Sequence, residues 1–336
     1  MPAWRKMRVL KCIFYAKRGI DMPAGYAHLM ITDRSLDGYG NNNDVEKKLR
    51  AEALTRSHFV RLGSVGPDYP YLDLFQPGQK IWADHMHYDF TGDLIVTIAK
   101  KLLERAQKGF DDESFAIPFC WFLGYLSHVT ADLVVHPVVA NIVGPYQGNE
   151  KEHRHCEMVQ DAFIYNKVRN GAEIEHSQLI KLLNNCSAPG DDDKIHPLLR
   201  QFWDETLGVH FPEDHKDHHP DIDEWHDQFE DWLGIAGRPT FVGRLIDSGH
   251  KFTYKKSSEI TGKERKSFLD DLLLPDGKKG NYEIDVFPRA VQHVSNRWVS
   301  FSKGLSGGNL DPFISGISNC DLDTGKDIAT SKLVYW

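Results

Sequence analysis

Cysteine is scarce, and nothing in its placement closes a site. The five residues, Cys12, Cys120, Cys156, Cys186 and Cys320, are scattered, odd in number and nowhere spaced as CxxC. Thiolate zinc sites and thioredoxin-like redox chemistry are therefore excluded, and a reducing compartment fits better than a disulfide framework. No uninterrupted run approaches ~18 apolar residues, so the sequence predicts no membrane-spanning helix. Positive charge is also short. Against 48 Asp and Glu stand 40 Lys and Arg, a net charge of -8, which argues against coating nucleic acid by bulk charge and leaves only a local basic groove. Strict period-two alternation, internal repeats and low-complexity tracts are missing as well.

What is present points elsewhere. At 336 residues with 41% hydrophobic and 11% aromatic content, the chain can bury a core in one large domain or two ordinary ones. It carries 17 histidines alongside its acidic residues, the ligand types of zinc and its neighbours in the transition series. Helical periodicity covers residues 43–62, with Val45, Leu49, Ala53 and Val60 near one face, and residues 92–109, 114–143 and 152–170. The stretch 114–143 is the most hydrophobic and predicts a buried helix. Residues 63–77 read as a loop, 190–194 as an acidic turn, 237–254 and 289–301 as helices, and 304–336 as loop or edge strand. The expected class is all-α.

The first residues are basic, with Arg5, Lys6, Arg8, Lys11, Lys17 and Arg18 and no acid before Asp21. A frayed extension is preferred over a membrane-surface helix with Trp4, Met7, Ile13 and Phe14 on one face. Residues 12–16 are too short for the apolar core of a signal peptide, and Met22 is an alternative start. The expected location is cytoplasmic with peripheral membrane contact.

Chemistry concentrates in residues 124–137, which hold His128, Asp132 and His136 at i, i+4 and i+8. A helix turns ~100° per residue, so the three lie on one stripe, each ~6 Å above the last. Two imidazoles and a carboxylate in so apolar a helix need a partner, either hydrogen bonds across to a neighbouring helix or, preferred for a regularly spaced triple, metal. The outer histidines are too far apart to share one small ion easily, so the stripe suggests more than one, with Asp132 between. His153 and Glu157 repeat the i, i+4 spacing on the next helix, while His155 points elsewhere and is expected to be exposed. Asp68 follows a rigid Gly66-Pro67 turn, either as an Asx-turn cap or as a carboxylate that orients a water. His85 and His87 cannot both face one ion from a helix, so at most one is a ligand. His28 stands just before an apolar helix start, where a lone histidine is more often a cap or core residue.

Taken together, the HxxxDxxxH helix, the HxxxE that follows, the Gly66-Pro67-Asp68 loop and the early His28 resemble the zinc-dependent phospholipase C family. That family includes the catalytic domain of glycosylphosphatidylinositol-specific phospholipase D and is distantly related to single-strand-specific zinc nucleases. The resemblance covers residues 22 to about 170 and implies a multi-helix all-α bundle, two to three zinc ions in a cleft and phosphodiester hydrolysis. On it the chain divides into a basic extension (1–21), a catalytic core (22–189) and a C-terminal part of helices and loops packed on the core (190–336). By resemblance, His136, His153 and Glu157 hold one zinc and His87, His128 and Asp132 a second. His28 holds a third, shared through Asp132. Asp68 contacts the attacking water. Mn²⁺ or Fe²⁺ also suits such ligands. In several family members the mature amino terminus ligates the third zinc. Here that point falls near Pro23, inside the chain, so with the extension retained the third zinc is expected to be weakened, lost or completed by another group, and removal of the extension would restore the arrangement.

The expected substrate is a phospholipid or other phosphodiester. A nuclease is the alternative, with Tyr69, Tyr71, Trp82 and Tyr88 as a stacking platform, although the same rings suit an acyl or choline pocket. A non-catalytic helical binding protein with a degenerate metal site ranks third. The cluster of His210, His215, His218, His219 and His226 lacks regular spacing and reads as a solvated acidic loop, or as a lid that dips Trp225 and Trp232 toward substrate.

Overall fold

The computed structural model describes residues 25–39, 44–73, 76–236 and 254–336. The basic extension and most of the helix expected at 237–254 lie outside the described residues. Helices dominate. They are α1 (Tyr26–Gly38), α2 (Asp44–Thr55), α3 (Ser57–Gly63), α4 (Lys80–Asp84), α5 (Thr91–Arg105), α6 (Glu113–Val143), α7 (Glu150–Val168), α8 (His176–Asn184), α9 (Pro197–His210), α10 (Pro212–Asp217), α11 (Ile222–Ala236), α12 (Gly262–Arg265), α13 (Phe287–Gly307) and α14 (Asp311–Ile314). The strands form short antiparallel pairs: β1 (Ser187–Ala188) with β2 (Asp191–Ile195), β3 (Leu272–Leu273) with β4 (Lys279–Gly280), and β5 (Cys320–Asp321) with β6 (Lys326–Asp327). The fold is the expected all-α bundle.

Helix α6 is its axis. Asp112 caps it by accepting the Ser114 amide at 2.9 Å, and α1, α3, α5, α7, α9 and α13 all pack against it. By length and composition α6 is apolar enough to cross a membrane, which corrects the expectation drawn from uninterrupted runs. A few polar residues break the run without much lowering its average. Its side chains are instead buried in the bundle, with Phe115, Phe119, Phe122 and Leu126 fully covered.

The helix expected over 43–62 is two, because the backbone breaks at Arg56 (φ -106°, ψ 33°). The break turns α3 onto α6 at two glycines. A Cβ on Gly63 would stand 2.0 Å from the Trp121 carbonyl oxygen, and one on Gly124 1.9 Å from that of Val60. Backbone therefore meets backbone. The chain then runs along α6 as a 3₁₀ segment (Gly66–Leu72), rather than the predicted loop, with Pro67 in its first turn. Asp68 reaches the interior on this segment.

Past residue 189 the structure corrects several expectations. The acidic turn at 190–194 is part of the β1–β2 hairpin. The stretch 210–232 is neither solvated loop nor lid. It forms α10 and α11, because Ile222, Trp225, Phe229 and Trp232 recur at helical spacing beneath the acidic residues. Trp225 is fully buried, 5.5 Å from Trp203, and donates its indole N–H to Gln79 Oε1 at 3.0 Å. His226 is buried beside the Ser187 hydroxyl, and burial pushes its pKa down to about 4. The C-terminal α13 docks on α6, where Trp298 donates to the Leu123 carbonyl at 2.8 Å.

Two predictions follow from this packing. Gly124→Ala forces α3 away from α6, so urea unfolding should show a loss of about 3 kcal/mol or more; an unchanged midpoint contradicts the close approach. His176 on α8 is buried, its Nδ1 2.8 Å from the Tyr26 hydroxyl, and burial pushes its pKa down to about 4. The unfolded chain protonates it near ~6.5, so its contribution is full above that pH and is lost as pH falls toward 4, at most about 3 kcal/mol. His176→Asn, which keeps an acceptor for Tyr26, should flatten the acid slope of thermal stability in this window; parallel slopes refute it.

Candidate metal centre

The α6 stripe forms as the spacing predicts. Asp132 is buried, with Oδ2 3.2 Å from His128 Nε2 and Oδ1 3.5 Å from His136 Nε2. From α1, His28 brings its Nε2 to 3.2 Å from Asp132 Oδ1 and stacks on the His128 ring at 4.5 Å. The π-helical turn after α4 (His85–Asp89) delivers His87, whose Nε2 lies 3.2 Å from His128 Nε2 and 3.3 Å from Asp68 Oδ1. On α7, Glu157 Oε1 stands 3.8 Å from His136 Nε2 and 4.0 Å from His153 Nδ1. All eight sequence-predicted residues thus form one contiguous cluster.

Two sets within it have their ligand atoms close enough to share an ion: Asp68, His87 and His128, and His28, His128 and Asp132. Asp68 thereby sits at ligand distance with one oxygen, which leaves its second oxygen for other contacts. The trio of His136, His153 and Glu157 is looser.

Backbone carbonyls orient the imidazoles. Nδ1 of His87 donates to Ala83 at 2.7 Å, Nδ1 of His128 to Ser64 at 3.1 Å and Nδ1 of His136 to Leu322 at 2.9 Å. His153 donates through Nε2 to Gly144 at 2.7 Å, leaving Nδ1 toward Glu157. A carbonyl only accepts, so each inward nitrogen of a neutral ring is a lone pair. The facing nitrogens of His87 and His128 therefore repel unless a cation sits between them. A tetrahedral ion with bonds of ~2.0–2.1 Å requires ligand atoms about 3.3 Å apart; the His87–His128, His87–Asp68, His128–Asp132 and His28–Asp132 separations of 3.2–3.3 Å match, and His128–Asp68 is wider at 4.0 Å. The residues fit zinc.

Electrostatics agree. Burial resists charge on His28, yet the Asp132 carboxylate overrides it and pushes the pKa up to about 9. Burial likewise opposes the charge on His87 and His136, and Asp68 and Asp132 respectively raise them. Asp132 is held well below the usual carboxylate range, despite burial, by His128, His136 and His28. Asp68 is also lowered against burial, chiefly by His128 and His87. Glu157 is raised, because burial outweighs its neighbours. Buried carboxylates drawing protons onto imidazoles mark the places where a cation belongs.

The remaining histidines separate cleanly. His85 turns away to Asp214 at 2.7 Å and stacks on Phe211 at 3.9 Å. His155 donates to Glu264 at 2.8 Å and is partly covered, not exposed as expected. Of the aromatic platform, Tyr69 is core, stacked on Phe229 at 4.5 Å, and Trp82 is core, donating to the His218 carbonyl at 2.8 Å. Tyr71 lies 5.3 Å from the His87 ring, and Tyr88 donates to Asp323 at 3.0 Å.

The family model for zinc-dependent phospholipase C matches residues 27–213, more than half of the chain. The chain belongs to the zinc-dependent phospholipase C family. It is accordingly a hydrolase with the zinc dependence of that family and a metal-dependent phosphodiesterase. No curated protein and no solved structure matched the chain significantly.

Three contributions to this phospholipase C centre escaped sequence reasoning. Asp161 accepts the backbone N–H groups of Tyr26 (3.0 Å) and Ala27 (2.6 Å) and the Tyr254 hydroxyl (2.7 Å), pinning the start of α1 beside His28. Burial pushes its pKa up to about 6. Its signal was available, since His153, Glu157 and Asp161 repeat the i, i+4, i+8 stripe of α6. With His28, Asp132, His136, Glu157 and Tyr282, Asp161 lines a cavity of about 20 Å³, room for one water-sized occupant. Tyr282 and Leu322 lie beyond the matched span. Leu322 donates its N–H to the His87 carbonyl at 3.0 Å while accepting from His136. No local pattern announces a backbone role of this kind.

Leu322 is held by its loop. Pro137 cannot donate to the Leu133 carbonyl, and Gly325 (φ +68°) packs at that gap, where a Cβ would lie 2.3 Å from Pro137 Cγ and 2.9 Å from the freed oxygen. Gly325→Val should push the loop off α6, release His136 and weaken zinc affinity about tenfold in chelator competition; unaltered affinity contradicts this orienting role.

Proposed function

We propose that this chain hydrolyses the phosphodiester of a phospholipid headgroup, using two to three zinc ions, at a membrane surface it contacts peripherally. The observation that carries the reading is the division of Asp132. One carboxylate oxygen faces His28 and His136, the other faces His128, and His128 also faces Asp68 and His87. A carboxylate so divided suits adjacent ions. Zinc, when bound, supplies positive charge that polarises the phosphoryl oxygens and makes water acidic near neutral pH.

The chain's own groups do the rest. Asp68 is kept ionised at neutral pH by His128 and His87, so its carboxylate can hold the attacking water in line and accept its proton. The carbonyls of Ala83 and Ser64 keep the tautomers of His87 and His128, so neither ring turns during turnover. Tyr71 and Tyr88, at the His87 side of the cleft, supply rings for a headgroup or acyl stem. Withdrawal of Tyr69 and Trp82 into the core leaves less of a stacking track for single-stranded nucleic acid. Together with the net charge of -8, that favours lipid over nucleic acid.

Asp68→Asn should lower kcat by about 100-fold or more on phosphatidylcholine micelles, with little hydrolysis of single-stranded DNA by the wild type. Full turnover in the variant removes Asp68 from the chemistry. Hydrolysis of DNA without turnover of lipid transfers the site to the nuclease reading.

A further inference from the structure

We propose that Asp204, His215 and His219 form a second transition-metal site, separate from the Asp132 centre, that takes zinc or a similar borderline divalent ion. Asp204 lies on α9, His215 on α10, and His219 four residues further on. Asp204 Oδ1 is 2.8 Å from His215 Nε2 and 3.4 Å from His219 Nδ1, and the three donor atoms lie within 4.8 Å of one another. The two separations from Asp204 bracket the ~3.3 Å edge of a tetrahedral zinc site, and the two imidazole nitrogens lie within 4.8 Å of each other, so small side-chain rotations seat an ion. Two imidazoles and a carboxylate supply three ligands and leave a fourth position for water. Asp204 and His219 open onto a groove of about 500 Å³ that Gln76, Arg200 and Asp221 also line, so the ion can enter and exchange.

The donors are held by buried structure, although His219 itself is exposed. Gln79, buried, donates through Nε2 to the His219 carbonyl at 2.9 Å and accepts the Asp221 N–H at 3.0 Å. Trp82, also buried, donates to the His218 carbonyl. These bonds set the chain path that turns His219 toward His215, with ring centres 4.6 Å apart. On the other side the His215 ring rests on α9 at Gly208, where a Cβ would come within 3.0 Å of Cδ2 and 3.1 Å of Nε2. Without an ion, the His215–Asp204 hydrogen bond holds the pair; an ion takes its place and adds His219.

The site braces a part of the fold that the first centre uses. Asp214 on the same short helix bonds His85, two residues before His87, and the 218–221 segment rests on α4, which leads into the His87 turn. An ion bridging α9 to this segment ties it down without touching substrate.

The test is zinc stoichiometry and affinity of the full-length chain, stripped of metal and titrated with zinc chloride by calorimetry, with bound metal counted by elemental mass spectrometry. His215→Gln combined with His219→Gln should bind one equivalent fewer than wild type, or bind that equivalent at least about tenfold more weakly. His218→Gln, whose ring faces Gly78 instead, should retain it. His219 is exposed and His215 is half-buried outside the hydrophobic core cluster, so circular dichroism should show the variants folded. Equal stoichiometry and affinity in wild type and the double variant overturn the proposal, as does equal loss in His218→Gln.

Discussion

A carboxylate placed midway along an apolar helix must be neutralised, and the arrangement around Asp132 follows from that need. Its two oxygens meet three imidazoles, one from α1 and two from its own helix. Buried imidazoles oppose protonation and buried carboxylates oppose ionisation, so the group is stable only if opposite charges are close or a cation stands among them. That requirement, together with the buried Leu29, Met30 and Ile31 of α1, holds α1 against α6.

Holding the imidazoles still is a separate problem, and the fold solves it with main-chain carbonyls. Ser64, Ala83, Gly144 and Leu322 each accept one ring N–H. Ala83 and Gly144 lie four and nine residues from the rings they orient, whereas Ser64 and Leu322 come from distant segments and depend on packing features elsewhere. Ser64 is in place because Gly63 and Gly124 let α3 touch α6. Leu322 is in place because Gly325 fits against the Pro137 kink. Ligand orientation is thereby coupled to core packing, which keeps the donor atoms at ion-binding separations.

The C-terminal half contributes more than cover. Leu322 ties the carbonyl of His87 to the ring of His136, and Tyr282 closes one side of the small cavity beside Asp132. Helices α10 and α11 reach the same region through Gln79 and Trp82. The Asp204–His215–His219 triad extends this bracing, since an ion there would fasten the segment packed on the helix that leads to His87.

Local pattern determined much of this protein. The stripe at residues 128, 132 and 136 and the HxxxE at 153–157 are consequences of helical rotation, and rotation is a property of sequence spacing alone. The all-α class follows equally from periodicity. Ambiguity was resolved only where side chains met distant elements. His87 rather than His85 faces the cleft because the π-helical turn and Asp214 aim the two rings apart. Tyr69 is core because α11 covers it and Trp82 because Phe211 and His215 pack on it, and the acidic stretch before Trp232 is helical because its apolar residues found a surface to bury against. The Asp161 carboxylate takes its role only from the distant start of α1 that it caps, and Leu322 acts through backbone groups that carry no side-chain signature. Residue types and their spacing along one helix were thus decided by the sequence. Which donors converge was decided only when far segments packed together, because His28, Asp68, His87 and the α6 stripe lie far apart in the chain; the inward nitrogen is set nearby for His87 and His153, by Ala83 and Gly144, but by the distant Ser64 and Leu322 for His128 and His136.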